Sequence, residues 1–154
     1  MASDCFPLSL EELKEIRKRV SAVLIIKGVL SREDADKSIR AGADGIFISN
    51  HGAHTLDYLP HPFQVMDEIL PVAKGKAAIL VDGGFRRGSD VFKGLAFGAN
   101  LVGLGRPVLY ALAAGGAEGV KELMCQITEE MKRIMSMTGS SGTKNISRDL
   151  LIEN

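Results

Sequence analysis

The sequence predicts a parallel α/β fold, and three observations predict it. Short apolar runs begin near residues 23, 46, 78 and 101, and a helical pattern fills every gap between them. The runs are continuous rather than alternating, which marks strands expected to be covered on both faces, as in parallel α/β folds. Each run also finishes in glycine with polar or charged residues beside it: LIIKG, IFISNHG, AILVDGG and LVGLGRP. In folds of this class, strand ends are where active sites collect.

Taken in order, Ser9-Leu10-Glu11-Glu12 forms a capping box that opens a charged helix to about Arg19, with Leu10, Leu13 and Ile16 on one face. Residues 22–27 read as the first strand. Ser31 caps the next helix, with Asp34 in its first turn, and Gly42 ends it. Residues 46–49 form the second strand. A loop with Gly52, Pro60 and Pro62 leads to a helix over 63–70 that Pro71 and Gly75 close. Residues 78–81 are the third strand. Ser89 caps a helix through Phe97, stopped by Gly98, and 101–104 is the fourth strand. A small-residue segment precedes a long helix over 117–137, whose Val120, Leu123, Met124, Ile127, Met131, Ile134 and Met135 keep helical spacing. The chain reads as one domain, 1–154: a leading helix (1–21), four strands with intervening helices (22–114), and a C-terminal helix and tail (115–154). Four βα units do not close a barrel of eight, and the exposed strand edges of such a half are a liability.

Composition narrows the function classes. The 154 residues include 45% apolar and 25% charged side chains, with 19 basic groups balancing 19 acidic ones. No basic field is available to hold nucleic acid, and no single-sign block marks an interaction tail. Cys5 and Cys125 stand far apart, outside any CxxC or Cys/His cluster, so a reduced cytoplasmic chain without a metal site is expected. No run approaches the roughly 20 apolar residues that span a bilayer. The start of the chain lacks a signal-peptide core, and its last residues are not an SKL-type address.

Four strand ends hold the residues with chemistry. His51 follows the second strand, just before Gly52. An imidazole there can move a proton at neutral pH, or can be an ordinary surface residue. His54 and His61 share its loop, and without a third ligand they read as loop polarity rather than a metal site. Lys27 closes an apolar strand, where an ammonium either meets a counter-charge or ligand or snorkels to the rim. Asp82-Gly83-Gly84-Phe85-Arg86-Arg87-Gly88 follows the third strand. Its glycines permit close backbone approach, the next helix start offers N–H groups to an anion, and Arg86 or Arg87 adds a forked cation. Gly103-Leu104-Gly105-Arg106 repeats these materials after the fourth strand. Adjacent strand ends with Gly and Arg fit phosphate binding; the alternative is two tight turns with surface arginines.

At this level of detail the chain resembles the C-terminal half of the FMN-dependent α-hydroxy-acid oxidases and dehydrogenases, a family that includes glycolate oxidase, lactate oxidase and mandelate dehydrogenase. The resemblance rests on IIKGVLSREDA, AGADGIFISNHGAHTLD, VDGGFRRGSDVFKGLAFGA and VGLGRPVLYALA, in order and properly spaced over about three quarters of the chain. It implies strands five to eight of a TIM-type (β/α)8 barrel and FMN as cofactor. By the same resemblance Lys27 contacts the flavin's pyrimidine edge, His51 is the base that takes a proton from a small 2-hydroxy acid, and Ser49 lies near the ribityl chain. Asp82, Gly83, Gly84 and Arg86 match ribityl and phosphate contacts, and Gly105 and Arg106 further phosphate contacts. His54 stands where the family carries an arginine that clamps the substrate carboxylate, and Thr55 replaces a glutamine. The family's first four βα units have no counterpart here, so the resemblance implies a homo-oligomer or a complementing N-terminal half-barrel chain, with no nucleic-acid or membrane partner.

Overall fold

The computed structural model describes residues 7–54 and 56–152. Cys5, Thr55 and the last two residues of the tail lie outside them. Helix α1 spans Leu10–Arg19, β1 Ile25–Val29, α2 Arg32–Arg40, β2 Gly45–Ile48, α3 Pro62–Ala73, β3 Ala78–Val81, α4 Gly88–Ala96, β4 Leu101–Val102 and α5 Arg106–Met137. Single 3-10 turns occupy His51–Ala53, Thr143–Asn145 and Arg148–Leu150. The strands pair in chain order, β1-β2-β3-β4, all parallel.

Alternation along each strand separates two faces of the sheet. Ile46, Ile48, Ile79 and Val81 turn toward the helices and are buried with Ala35, Met66, Ile69 and Phe85. Burial of each large apolar side chain there contributes about 1.5–3 kcal/mol. Lys27, Phe47, Leu80 and Asp82 occupy the opposite, concave face. There the edge strands leave Ile25 and Leu101 uncovered, at 42% and 59% exposure. A second cluster of Phe92, Ala96, Met131 and Ile146 ties α4 to α5 and the tail.

The predicted elements are present, with displaced ends. The first strand starts at Ile25, not Ala22, because Leu24 is held outside the ladder: its N–H donates to the Asp44 carboxylate and its carbonyl accepts from Asp44 and Gly45. Lys27 is therefore within the strand rather than at its end. Pro71 does not close α3, which continues to Ala73; a proline forfeits one ladder bond without forcing the next residues out of helix. Helix α4 is entered at Arg87 rather than Ser89, because Asp90 accepts the N–H groups of Arg86 and Arg87. The ladder of β4 ends at Val102, although the Gly103 N–H still donates to Val81. The small-residue segment after Pro107 is itself helical, and α5 leaves helical geometry at Gly115 and Gly116 before resuming over 117–137.

Candidate active site

All four predicted strand-end groups converge at the C-terminal edge of the sheet. Their pocket has a volume of about 810 Å³, and its walls include Lys27, His51, Asp82, Gly83, Gly84, Arg86, Gly105 and Arg106. That volume suits a cofactor or drug-sized ligand.

Its floor is a polar relay. The Lys27 ammonium donates to Ser49 Oγ at 2.9 Å and lies 3.2 Å from Asp82 Oδ2. It also sits 5.1 Å above the centre of the Phe47 ring, a cation–π arrangement. Ser49 is buried, and the His51 N–H donates to the same Oγ at 3.1 Å. Register explains the meeting. Lys27 pairs with Phe47 and Phe47 with Leu80, so the side chains of Lys27, Ser49 and Asp82 rise together beyond that row. Asp82 Oδ1 is buried with no hydrogen-bond partner, an expensive state for a carboxylate oxygen unless a ligand donor meets it.

The turn after β2 presents His51. Asn50 Oδ1 accepts the Gly52 N–H at 3.0 Å, and the Asn50 carbonyl accepts from Ala53. This Asx turn holds His51 and Ala53 at φ 55° and 54°, the left-handed region that non-glycine residues rarely occupy. Such strain, on the order of 1–3 kcal/mol per residue, persists where surrounding structure imposes it and concentrates at functional sites. His51 is exposed to the pocket. His54 is not one of the pocket walls, and its ring centre lies 6.1 Å from that of His51.

Phosphate recognition is arranged differently from the sequence expectation. The start of α4 does not offer free N–H groups. Asp90 takes those of Arg86 and Arg87, and Glu130, from α5, takes those of Gly88 at 2.9 Å and Ser89 at 3.3 Å. The Gly88 N–H is the main reason the Glu130 carboxyl is held below the ordinary glutamate range, with Ser89 and Arg87 adding to it against burial. Two carboxylates therefore neutralise that helix end. By contrast α5 begins at Gly105 without a side-chain cap. Neither the Arg86 nor the Arg106 guanidinium has a carboxylate partner among the described residues, and Arg106 reaches across to Gly52. Cationic character at the pocket thus lies in Arg86, Arg106 and the α5 terminus.

This donor set suits a phosphorylated, polyhydroxylated ligand: two guanidiniums without acids, an orphaned carboxylate oxygen for a hydroxyl, and two glycines at positive φ, Gly83 and Gly84, where backbone can approach closely. Comparison with known proteins agrees. The family model described as FMN-dependent dehydrogenase matches residues 3–153. The chain belongs to this family. It is 42% identical over 150 residues to a peroxisomal (S)-2-hydroxyacid oxidase of Arabidopsis thaliana, covering 96% of this chain and 41% of the relative. It is 44% identical to an L-lactate oxidase of Lactobacillus jensenii, covering 88% and 33%. Among solved structures, a soluble mutant of the membrane-associated (S)-mandelate dehydrogenase from Pseudomonas putida superposes with a TM-score of 0.89 at 40% identity, over 95% of this chain and 41% of that one. The chain thus spans about two fifths of the length of these relatives. FMN is the cofactor of the family. Among the described residues no helix is long and apolar enough to cross a membrane, and no group of three His, Cys, Asp or Glu side chains gathers as a metal would require.

Sequence reasoning missed two residues that shape the site, Asn50 and His61. Asn before a glycine turn is an Asx-turn signal and could have been read. His61 reads as loop polarity in the sequence, but it caps α3 and its ring bonds to the Gly83 carbonyl in the loop after β3.

Proposed function

We propose that the chain is the FMN-binding half of an oxidoreductase converting a small L-2-hydroxy acid of the lactate or glycolate type to its 2-oxo acid. The observation that carries the proposal is the convergence of Lys27, His51, Asp82 and two acid-free guanidiniums on one pocket. In this reading Arg86, Arg106 and Gly105 hold the phosphate. Asp82 Oδ1 accepts from a ribityl hydroxyl, with Gly83, Gly84 and Ser49 alongside. Lys27 sets a positive charge at the ring's pyrimidine edge, oriented by Ser49 and Asp82. FMN, when bound, accepts the two electrons that leave the substrate carbon. His51 removes the hydroxyl proton, and the strained turn keeps its imidazole facing the pocket.

The four strands correspond to strands five to eight of a (β/α)8 barrel. The uncovered Ile25 and Leu101 support completion of the concave face by βα units outside these 154 residues, whether on the same polypeptide, a separate chain or a second copy. The test is size-exclusion chromatography with light scattering and a flavin spectrum, with and without the first four βα units of a relative supplied in trans. Anaerobic reduction by lactate, glycolate or mandelate follows. Reduction in the completed complex, slowed about 10²- to 10⁴-fold by His51→Asn with flavin retained, is expected. A flavin-loaded, completed complex that none of these acids reduces refutes the catalytic reading.

A second reading, a non-catalytic FMN- or phosphate-binding half barrel, is favoured by one observation. His54 stands where the resemblance places a carboxylate-clamping arginine, and an imidazole lacks the planar fork. Bound flavin without turnover is its signature.

A further inference from the structure

We infer that His61 is a positioning residue for the cofactor pocket: it clasps the loop after β2, which carries His51, onto the Gly83 and Gly84 turn after β3. This rests on the flavin-binding reading for its ligand, but not for its geometry.

The His61 ring bonds on both sides. Its Nδ1 lies 3.3 Å from the Phe63 N, which can only donate, and its Nε2 lies 3.2 Å from the Gly83 carbonyl, which can only accept. Both bonds form together only in the neutral imidazole protonated at Nε2. The ring is held in place by Phe63, at 5.3 Å between centres, while the His61 N–H donates to the Gln64 side chain at 2.7 Å. A methyl group at Gly84 would meet His61 Nε2 at 3.5 Å. One at Gly83 would press on Pro62 at 3.1 Å and touch Asn50 Oδ1 at 3.4 Å. The β2 loop and the start of α3 therefore line this turn with Asn50, His61 and Pro62, and His61 bonds to it.

That bond matters because Gly83 and Gly84 have φ of 103° and 81°. Glycine is conformationally permissive, so such a turn keeps one shape only when something outside it imposes that shape. The same turn lies between Asp82 and Arg86, the proposed hydroxyl and phosphate contacts. His61 is thus one hydrogen bond from the backbone that sets their separation.

Capping and clasping are separable by mutation. His61→Ser keeps an oxygen able to accept at the start of α3 but cannot reach Gly83, whereas His61→Ala loses both. In the ligand-free full chain, imidazole 15N spectra should show His61 protonated at Nε2. Backbone order parameters at Gly83 and Gly84 should fall from about 0.85 toward 0.6 in both variants. Melting temperature should fall in His61→Ala and recover in His61→Ser. FMN dissociation constants, measured by flavin fluorescence, should rise about five- to tenfold in both, a loss of one modest hydrogen bond. Proton on Nδ1, or unchanged order parameters, overturns the clasp. So does a His61→Ser variant that regains wild-type flavin affinity along with its stability, since His61 would then be a helix cap alone. If wild type takes up no FMN even when completed by the other βα units, the flavin reading fails, and the ligand-free spectra still decide the role of His61.

Discussion

Replacing Gly88 by alanine tests how closely α5 packs on the start of α4, and hence how Arg86 is placed. An added Cβ would stand 2.7 Å from Glu130 Cβ, 2.8 Å from the Ile127 carbonyl oxygen and 2.8 Å from the Met131 nitrogen. All three are backbone or Cβ atoms, so no rotamer change relieves the clash and the two helices must separate. Overpacking against unyielding neighbours costs about 3 kcal/mol, the upper end of its usual range. Separation also stretches the Gly88 and Ser89 bonds to Glu130, worth about 1 kcal/mol together at this half-exposed position. Alanine's better helix propensity returns at most about 1 kcal/mol. The net loss is about 3 kcal/mol, which for a chain of 154 residues lowers the melting temperature by about 6–12 °C. Calorimetry or urea titration followed by circular dichroism measures it. A Gly88→Ala protein melting within about 2 °C of wild type would refute the close α4–α5 packing. Flavin affinity should fall in the same variant, because Arg86 precedes the displaced helix by two residues.

Other outcomes follow from the site. Lys27→Met leaves Asp82 without its cation, and flavin uptake should weaken about tenfold by fluorescence titration; unchanged uptake would remove Lys27 from the cofactor's surroundings. His54→Arg restores a forked cation, and in the completed enzyme KM for lactate or glycolate should drop about tenfold. A KM that stays put would mean that position 54 does not meet the carboxylate. Glu130→Gln should cost about 0.5–1 kcal/mol near neutral pH. Because the folded carboxyl is held below its ordinary value, this contribution is full above about pH 4.3 and is lost as pH falls through the lowered value. Urea midpoints of the two proteins should converge as acid protonates Glu130, and a gap that does not narrow on acidification would contradict the bonding to Gly88 and Ser89.

Strand positions and most helix starts were legible in the sequence, because both are written in local pattern. Continuous apolar runs identified four parallel strands, although the helices cover only one of their faces here and the other leaves Ile25 and Leu101 exposed. Ser9 with Glu12, and Ser31 with Asp34, announced helix starts because a cap bonds to an N–H only two or three residues away. The SNHG and DGG runs announced the two strand-end loops, since glycine is required where backbone turns sharply. Tertiary structure alone decided the pairings between those loops. Glu130 closes the α4 terminus from 42 residues away, which turned an expected anion site into a neutralised one. Lys27 meets Ser49 and Asp82 only because parallel register stacks three neighbouring strands, and Arg106 reaches Gly52 only because the first and last loops of the pocket share one edge. His61 looked like loop polarity because nothing near it in sequence is Gly83, 22 residues on. Periodicity records which face a residue occupies; it carries no record of which distant backbone atom that face will meet.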